Sequence, residues 1–271
     1  MKTLPIVQLF RAVRLGLHLF WGAVTVAVVY PFLRDAWRLW LKQRWSRQLL
    51  EILGVRLDAH LNGITPGSLV VANHISWLDI YALNAARPVA FVSKSEVRSW
   101  PLIGWLAAHT DTLFIRRSSR QDAIEACGIL ARRLGESLDV AIFPEGTTTD
   151  GSAVLEFKGA LFQSAIDAGR PVQPVSIAYY DRDGHRTDIP AYAGETTMLE
   201  SLAAVLACRS LTVCLRPTPA LAASGMSRRE LATAARGAIA FSLGVPAREA
   251  VPNSVDFPAE PESATTQPTA G

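Results

Sequence analysis

From Leu15 to Leu33 the chain runs nineteen residues without an Asp, Glu, Lys or Arg, with Arg11 and Arg14 before the run and Arg34 after it. About 20 apolar residues cross a bilayer's hydrocarbon core, so a run of this length so near the start predicts a membrane-associated helix. No small-x-small cleavage site closes it, which argues against a removed leader. Pro31 breaks the helix. A second helix is expected over 34–53, where Trp37, Trp40, Leu41, Trp45, Leu49 and Ile52 recur at helical spacing among Arg34, Arg38, Lys42, Arg44, Arg47 and Glu51. A basic helix with three tryptophans suits the headgroup boundary. Residues 1–53 therefore read as a membrane-anchoring helical pair, which crosses the bilayer or dips into one leaflet.

Gly54 ends the second helix. Beyond it, apolar runs alternate with helical patterns. Strands are expected at Leu69–Ala72, Val89–Ser93, Thr112–Arg116, Val140–Phe143, Val172–Tyr179 and Leu211–Leu215. Helices are expected at Trp77–Ala85, Arg120–Leu134, Phe157–Asp167, Thr197–Ala207 and Arg228–Leu243. Such alternation predicts an α/β domain over 54–244, a mostly parallel sheet flanked by helices. From Val245 to Gly271 the chain is rich in Pro, Ala, Glu, Ser and Thr and reads as a disordered tail.

Composition narrows the function. Apolar residues make up 49% and charged residues 19%, with a mean hydropathy of +0.20. That suits contact with lipid. A net charge of +3 gives no case for nucleic acid. Cys127, Cys208 and Cys214 have neither metal-ligand nor disulfide-framework spacing, so a reducing, cytoplasmic face is expected.

Two strand ends carry the chemistry. Val70-Val71-Ala72 runs into Asn73-His74, and Asp79 follows five residues after the histidine. With Ser76 capping a helix that starts under Trp77, the Asp79 carboxylate turns back on the His74 ring. A carboxylate on one imidazole nitrogen fixes the tautomer and leaves the other nitrogen as a base. The second strand end is Val140-Ala141-Ile142-Phe143-Pro144-Glu145-Gly146-Thr147.

Asn-His-x4-Asp followed at this interval by Phe-Pro-Glu-Gly-Thr resembles the glycerolipid acyltransferase family, which includes the 1-acylglycerol-3-phosphate acyltransferases. Phe114-Ile115-Arg116-Arg117 is similar to that family's second block, and Val172-Gln173-Pro174-Val175-Ser176-Ile177 to its fourth. The resemblance covers roughly 70–180. It implies acyl transfer from acyl-CoA or acyl carrier protein to the free hydroxyl of a lysolipid at a bilayer, with no cofactor and the catalytic domain on the cytoplasmic side. His74 would be the base and Asp79 its orienter. Asn73, Arg116, Arg117, Glu145, Gly146 and Thr147 would bind substrate, the arginines meeting an anion. Backbone N–H groups after Ser76 are candidate oxyanion donors.

Two residues depart from the pattern. Thr148 stands where the third block commonly has arginine, and Asp111 where the second block usually opens with glycine. Both lower the positive charge near a headgroup. Lysophosphatidate is the first acceptor expected, with a lyso-aminolipid such as lyso-ornithine lipid as the alternative. A metal hydrolase is disfavoured, because among Asn73, His74, Asp79, Asp111 and Glu145 only His74 is a strong transition-metal ligand. A catalytically dead scaffold would be expected to lack His74 or Asp79. No Gly-x-Ser-x-Gly elbow marks a nucleophilic hydrolase.

Overall fold

The computed structural model describes residues 3–99, 103–115 and 119–248. Arg116, Arg117 and the tail beyond 248 lie outside the described residues.

Strand β2 (Leu69–Ala72) is apolar on both faces, and all four of its residues are buried. A strand of that kind belongs in the middle of a sheet covered on both sides. Among the described residues the sheet has seven strands: β1 (Val55–Ala59), β2, β3 (Ala90–Lys94), β4 (Leu113–Ile115), β5 (Val140–Ile142), β6 (Val172–Tyr180) and β7 (Leu211–Pro217). Their spatial order is β1-β7-β6-β2-β5-β3-β4. Among the described residues only the β6–β7 strand pairing is antiparallel, so the sheet is mostly parallel, as expected.

Residue parity divides the helices between two layers. Val70, Ala72, Val175, Ile177 and Tyr179 face one core. Against them pack α2 (Asp35–Leu53), α3 (Leu78–Ala86) and α7 (Met198–Ala207), with α1 (Pro5–Val24) on the outside. Leu69, Val71, Val140 and Ile142 face the other core. That layer holds α5 (Arg120–Gly135), α6 (Gln163–Asp167) and α8 (Arg228–Leu243); α4 (Ile103–His109) lies between β3 and β4. His74 continues the parity of Val70 and Ala72, which aims it at the α1–α3 layer.

The first helix does not run unbroken. After α1 the chain makes a π-helical turn at Thr25–Val29 and a 3-10 turn at Tyr30–Phe32 around Pro31. Helix α2 is not a separate appendage: Leu49, Leu50, Ile52 and Leu53 are buried in the same core as β2. Gly54 ends it at φ +76°, and a Cβ there would strike the Arg11 guanidinium. The three tryptophans also divide. Trp37 and Trp40 are exposed, whereas Trp45 turns inward, stacked on His18 at 4.6 Å and tilted against Tyr81 at 5.7 Å. Residues 245–248, expected in the tail, are held: the Val154 N–H donates to the Pro246 carbonyl at 3.1 Å and the Arg248 N–H to the Val154 carbonyl at 3.0 Å.

Candidate active site

Strands β2 and β5 are parallel neighbours, so His74 and Glu145 emerge at the same edge of the sheet. The chain leaves β2 in one direction towards β3 and meets β6 on its other side, which makes this edge a topological switch point where ligands bind.

The His74 Nδ1 lies 2.8 Å from Asp79 Oδ2. That same oxygen accepts the backbone N–H groups of Ile75 (2.7 Å) and Ser76 (2.9 Å). The other carboxylate oxygen accepts the Tyr179 hydroxyl at 2.6 Å. Asp79 is fully buried. Asp79 Oδ2 accepts from the groups that reach it, so His74 donates to it from Nδ1 and presents the Nε2 lone pair. The ring lies flat on Phe143, with centroids 3.9 Å apart and planes 7° apart, and Phe143 in turn lies over Phe91.

The histidine backbone is fixed as firmly as its ring. Its N–H donates to Glu145 Oε1 at 2.8 Å, and its carbonyl accepts the Thr149 N–H at 2.8 Å. Glu145 Oε2 accepts the Leu155 N–H at 3.0 Å. The glutamate is buried, and burial pushes its pKa up to about 7 against the lowering pull of those two N–H groups. Glu145 thus ties the β2 end to the loop after β5.

Several expected substrate-binding residues sit elsewhere in the scheme. Asn73 is buried; its amide donates to the Ile177 carbonyl (3.0 Å) and accepts the Ile177 N–H (2.8 Å), clamping β2 to β6. Both Glu145 oxygens are taken by backbone donors. Gly146 has φ +75° and faces the space beside His74, and a Cβ on it would lie 3.2 Å from the Lys158 ammonium. Thr147 is exposed next to it. Among the N–H groups after Ser76, Leu78 donates to Ser76 Oγ at 3.3 Å and Asp79 to the Ser76 carbonyl at 3.0 Å, while Ile75 and Ser76 before them donate to Asp79. The reason is geometric, since the Asp79 carboxylate folds back over the turn it follows. Thr148 donates its hydroxyl to the Tyr192 carbonyl, and the Tyr192 N–H donates to the Ile75 carbonyl at 2.9 Å, which straps the β6–α7 connection across the site.

Tyr179 and Phe143 were not singled out from sequence. The signal for Tyr179 was present: it shares the parity of Val175 and Ile177, which puts its polar tip on the His74 face.

His74 opens into a cavity of about 480 Å³ between the sheet and the N-terminal helices, with Trp45, Ile80, Tyr81, Phe91 and Phe143 among its walls. A base with an oriented lone pair beside an apolar cavity can deprotonate a hydroxyl next to a buried hydrocarbon chain.

Comparisons with known proteins point to one family. Residues 57–178 match the family model described as Acyltransferase. The chain is 42% identical over 154 residues to the 1-acyl-sn-glycerol-3-phosphate acyltransferase of Neisseria meningitidis, covering 55% of this chain and about three fifths (59%) of that protein. It is 39% identical over 211 residues to the lyso-ornithine lipid O-acyltransferase of Pseudomonas aeruginosa, covering 75% of this chain and 80% of that one. The crystal structure of the 1-acyl-sn-glycerophosphate acyltransferase PlsC from Thermotoga maritima shares the fold, with a TM-score of 0.62 at 22% identity over 86% of this chain and 96% of that chain. With its motifs on one edge of the expected sheet and a relative matched over four fifths of its length, the chain belongs to the glycerolipid acyltransferase family.

Proposed function

We propose that this protein is a membrane-seated O-acyltransferase that esterifies the free hydroxyl of a lysolipid. The observation that carries the reading is the His74–Asp79 pair, its free Nε2 facing an apolar cavity. In the reaction, the lysolipid hydroxyl gives its proton to His74 Nε2 as its oxygen attacks the donor's thioester carbonyl. The tetrahedral intermediate collapses, the C–S bond breaks, and the thiolate leaves with the proton from the imidazolium. Asp79 stabilises that imidazolium and holds the ring. The acyl chain occupies the cavity. The donor is acyl-CoA or acyl carrier protein, and the chemistry draws on no cofactor. Asn73 and Glu145 act as positioning residues; Gly146 and Thr147 border the acceptor. Lys158, Arg116 and Arg117 supply positive charge to its headgroup.

Membrane seating is supported by α1. Pro5–Phe32 is long and apolar enough to cross a bilayer, with a mean hydropathy of 1.7. Yet α1 is fastened along its length: the Thr3 N–H donates to the Ala207 carbonyl, Arg11 reaches the Cys208 carbonyl, Leu15 enters the core and Gly22 abuts Trp45. From Thr3 to Gly22 is nineteen steps, about 28 Å at 1.5 Å each. A helix held against the domain over that distance does not also stand across the bilayer. Its exposed Phe10, Val13, Leu17, Phe20 and Trp21 dip instead into one leaflet, with the domain on the cytoplasmic side.

The first acceptor is 1-acylglycerol-3-phosphate. A second, lyso-ornithine lipid, is favoured by Thr148, whose hydroxyl is committed to the Tyr192 carbonyl and brings no charge to a phosphate. An acceptor panel with one acyl-CoA, scored by lipid mass, tests the reading. Ester formation on either lysolipid supports acyl transfer, and the better acceptor names the substrate. Free fatty acid as the sole product, with no acylated lipid, would overturn it.

A further inference from the structure

Three polar side chains line the apolar cavity with hydrogen-bonding capacity left over. Asn84, on the last turn of α3, is 6% exposed. Its Oδ1 accepts the Val89 N–H at 3.1 Å, which fixes the amide, and its Nδ2 has no protein partner among the described residues. Ser46, on α2, is 1% exposed, and its hydroxyl has no partner among them either. The third is the Tyr81 hydroxyl, one turn before Asn84 and likewise without a partner among the described residues; burial pushes its pKa up, so the phenol stays protonated. Every sealed side-chain nitrogen or oxygen among the described residues has a partner, so these three open onto the cavity that their residues line.

The packing of α2 on α3 brings the three together. Tyr81 and Asn84 are three residues apart and share a helix face. On α2, Gln43 and Arg47 donate to the Ala85 carbonyl at 3.3 Å and 2.7 Å, and the Trp45 ring tilts against Tyr81. Lys42, one turn before Ser46, donates at 3.1 Å to the carbonyl of the same Val89 that Asn84 holds. Ser46 lies amid these contacts, so its hydroxyl meets the stretch of α3 from Tyr81 to Asn84. The helix also sets the distance from the reacting centre. Asp79, which holds His74, precedes Tyr81 by two residues and Asn84 by five, about 3 Å and about 8 Å along the axis. An extended chain advances by roughly 1.3 Å per carbon, given a C–C bond of about 1.5 Å at the tetrahedral angle, so the trio flanks about the first six carbons beyond the thioester carbonyl.

We propose that Ser46, Tyr81 and Asn84 form a polar station in the cavity wall that selects an acyl donor carrying a hydroxyl on one of the carbons close to its carbonyl. This rests on the acyl-transfer reading above. A hydroxyl suits the trio: its oxygen accepts from Asn84 Nδ2, and its proton goes to the Ser46 or Tyr81 oxygen. A plain methylene at that level takes water from the same three groups and returns no hydrogen bond. A site built to bond a substrate hydroxyl therefore discriminates against the chain that lacks it.

The test is kcat/KM of the full chain with tetradecanoyl-CoA and with its derivatives hydroxylated at the second, third or fifth carbon, all of one chain length. The proteins are the parent, Ser46→Ala, Tyr81→Phe and the double variant. The parent should prefer one hydroxylated donor to the plain one by about tenfold or more, and the double variant should lose about tenfold of that preference, each single variant less. Neither substitution removes a hydrogen bond within the protein, so the melts should hold. A parent that prefers the plain donor to every hydroxylated one would overturn the inference. So would a folded double variant that keeps the parent's preference, or one whose turnover falls equally with every donor; the three groups would then be left to hold water. If the double variant does not fold, the single variants decide: the preference must drop in at least one, and an unchanged preference in both overturns the inference. A parent inactive with every donor and both lysolipids would defeat the acyl-transfer reading together with this one. An active parent with no preference for a hydroxylated donor defeats only this one.

Discussion

Tyr179→Phe removes one oxygen atom and tests whether the Asp79 carboxylate needs its outer support. Three N–H groups converge on Asp79 Oδ2, but the Tyr179 hydroxyl, at 2.6 Å, is the donor to Oδ1. Burial, and then the Asp79 charge, push the phenol pKa well above its usual value, so the phenol stays protonated and donates. A hydrogen bond to a charged group contributes about 1.5–3 kcal/mol, and Asp79 is fully buried, so bulk water does not replace the lost donor. The ring remains, so no large cavity forms. The variant should lose about 2 kcal/mol of stability, which for a domain of this size lowers Tm by about 4–8 °C. Its kcat should fall about tenfold, because a carboxylate short of one donor holds the His74 ring less well. KM should stay near the parent's, since the phenol lies behind Asp79 as seen from the cavity. The assay pairs a thermal melt with steady-state acyl transfer. An unchanged melt together with an unchanged kcat would refute the claim that Tyr179 supports the dyad. A raised KM with normal kcat would place Tyr179 against substrate instead.

Glu145 titrates near 7 in the folded protein against an ordinary value of 4.5, so the folded state binds more protons between those values. Stability should therefore fall as pH rises through that window, by up to about 1.4 kcal/mol per unit, and Glu145→Gln should abolish this slope in thermal melts from pH 4.5 to 7.5. Changing Trp37 and Trp40 together to Ala should weaken sedimentation with anionic liposomes while leaving the melt within a few degrees. Trp45→Ala should do the reverse, costing on the order of 2–3 kcal/mol, because its ring fills the α1–α2 contact.

The sheet was legible because β2 and β5 are short, apolar and β-branched, and because parallel strands buried on both faces keep that signature. Strand β1 was missed: Arg56 and Asp58 alternate with Val55 and Leu57, as on a half-exposed edge strand, and five residues give that pattern little weight. Helix α4 was missed because seven residues hold barely two turns of periodicity. At the site, spacing placed His74 against Asp79, since five residues and one turn leave little choice. Spacing could not tell which polar groups face the substrate. Asn73 and Glu145 lie in the motifs, but their hydrogen-bonding capacity goes to backbone groups, Asn73's to Ile177 and Glu145's to His74 and Leu155. Lys42 read as one more basic position on an interfacial helix; its burial depends on Val89 and Asp111, which only the packing brings near.

The central claim is that His74 is the base. The direct measurement is the kcat/KM of purified His74→Ala against the parent, with acyl-CoA and the better lysolipid, after confirming an unchanged melt and unchanged liposome binding. The account predicts a loss of about 10²–10⁴-fold with the fold and the membrane seat intact. Turnover within a few-fold of the parent in a folded His74→Ala protein would contradict it.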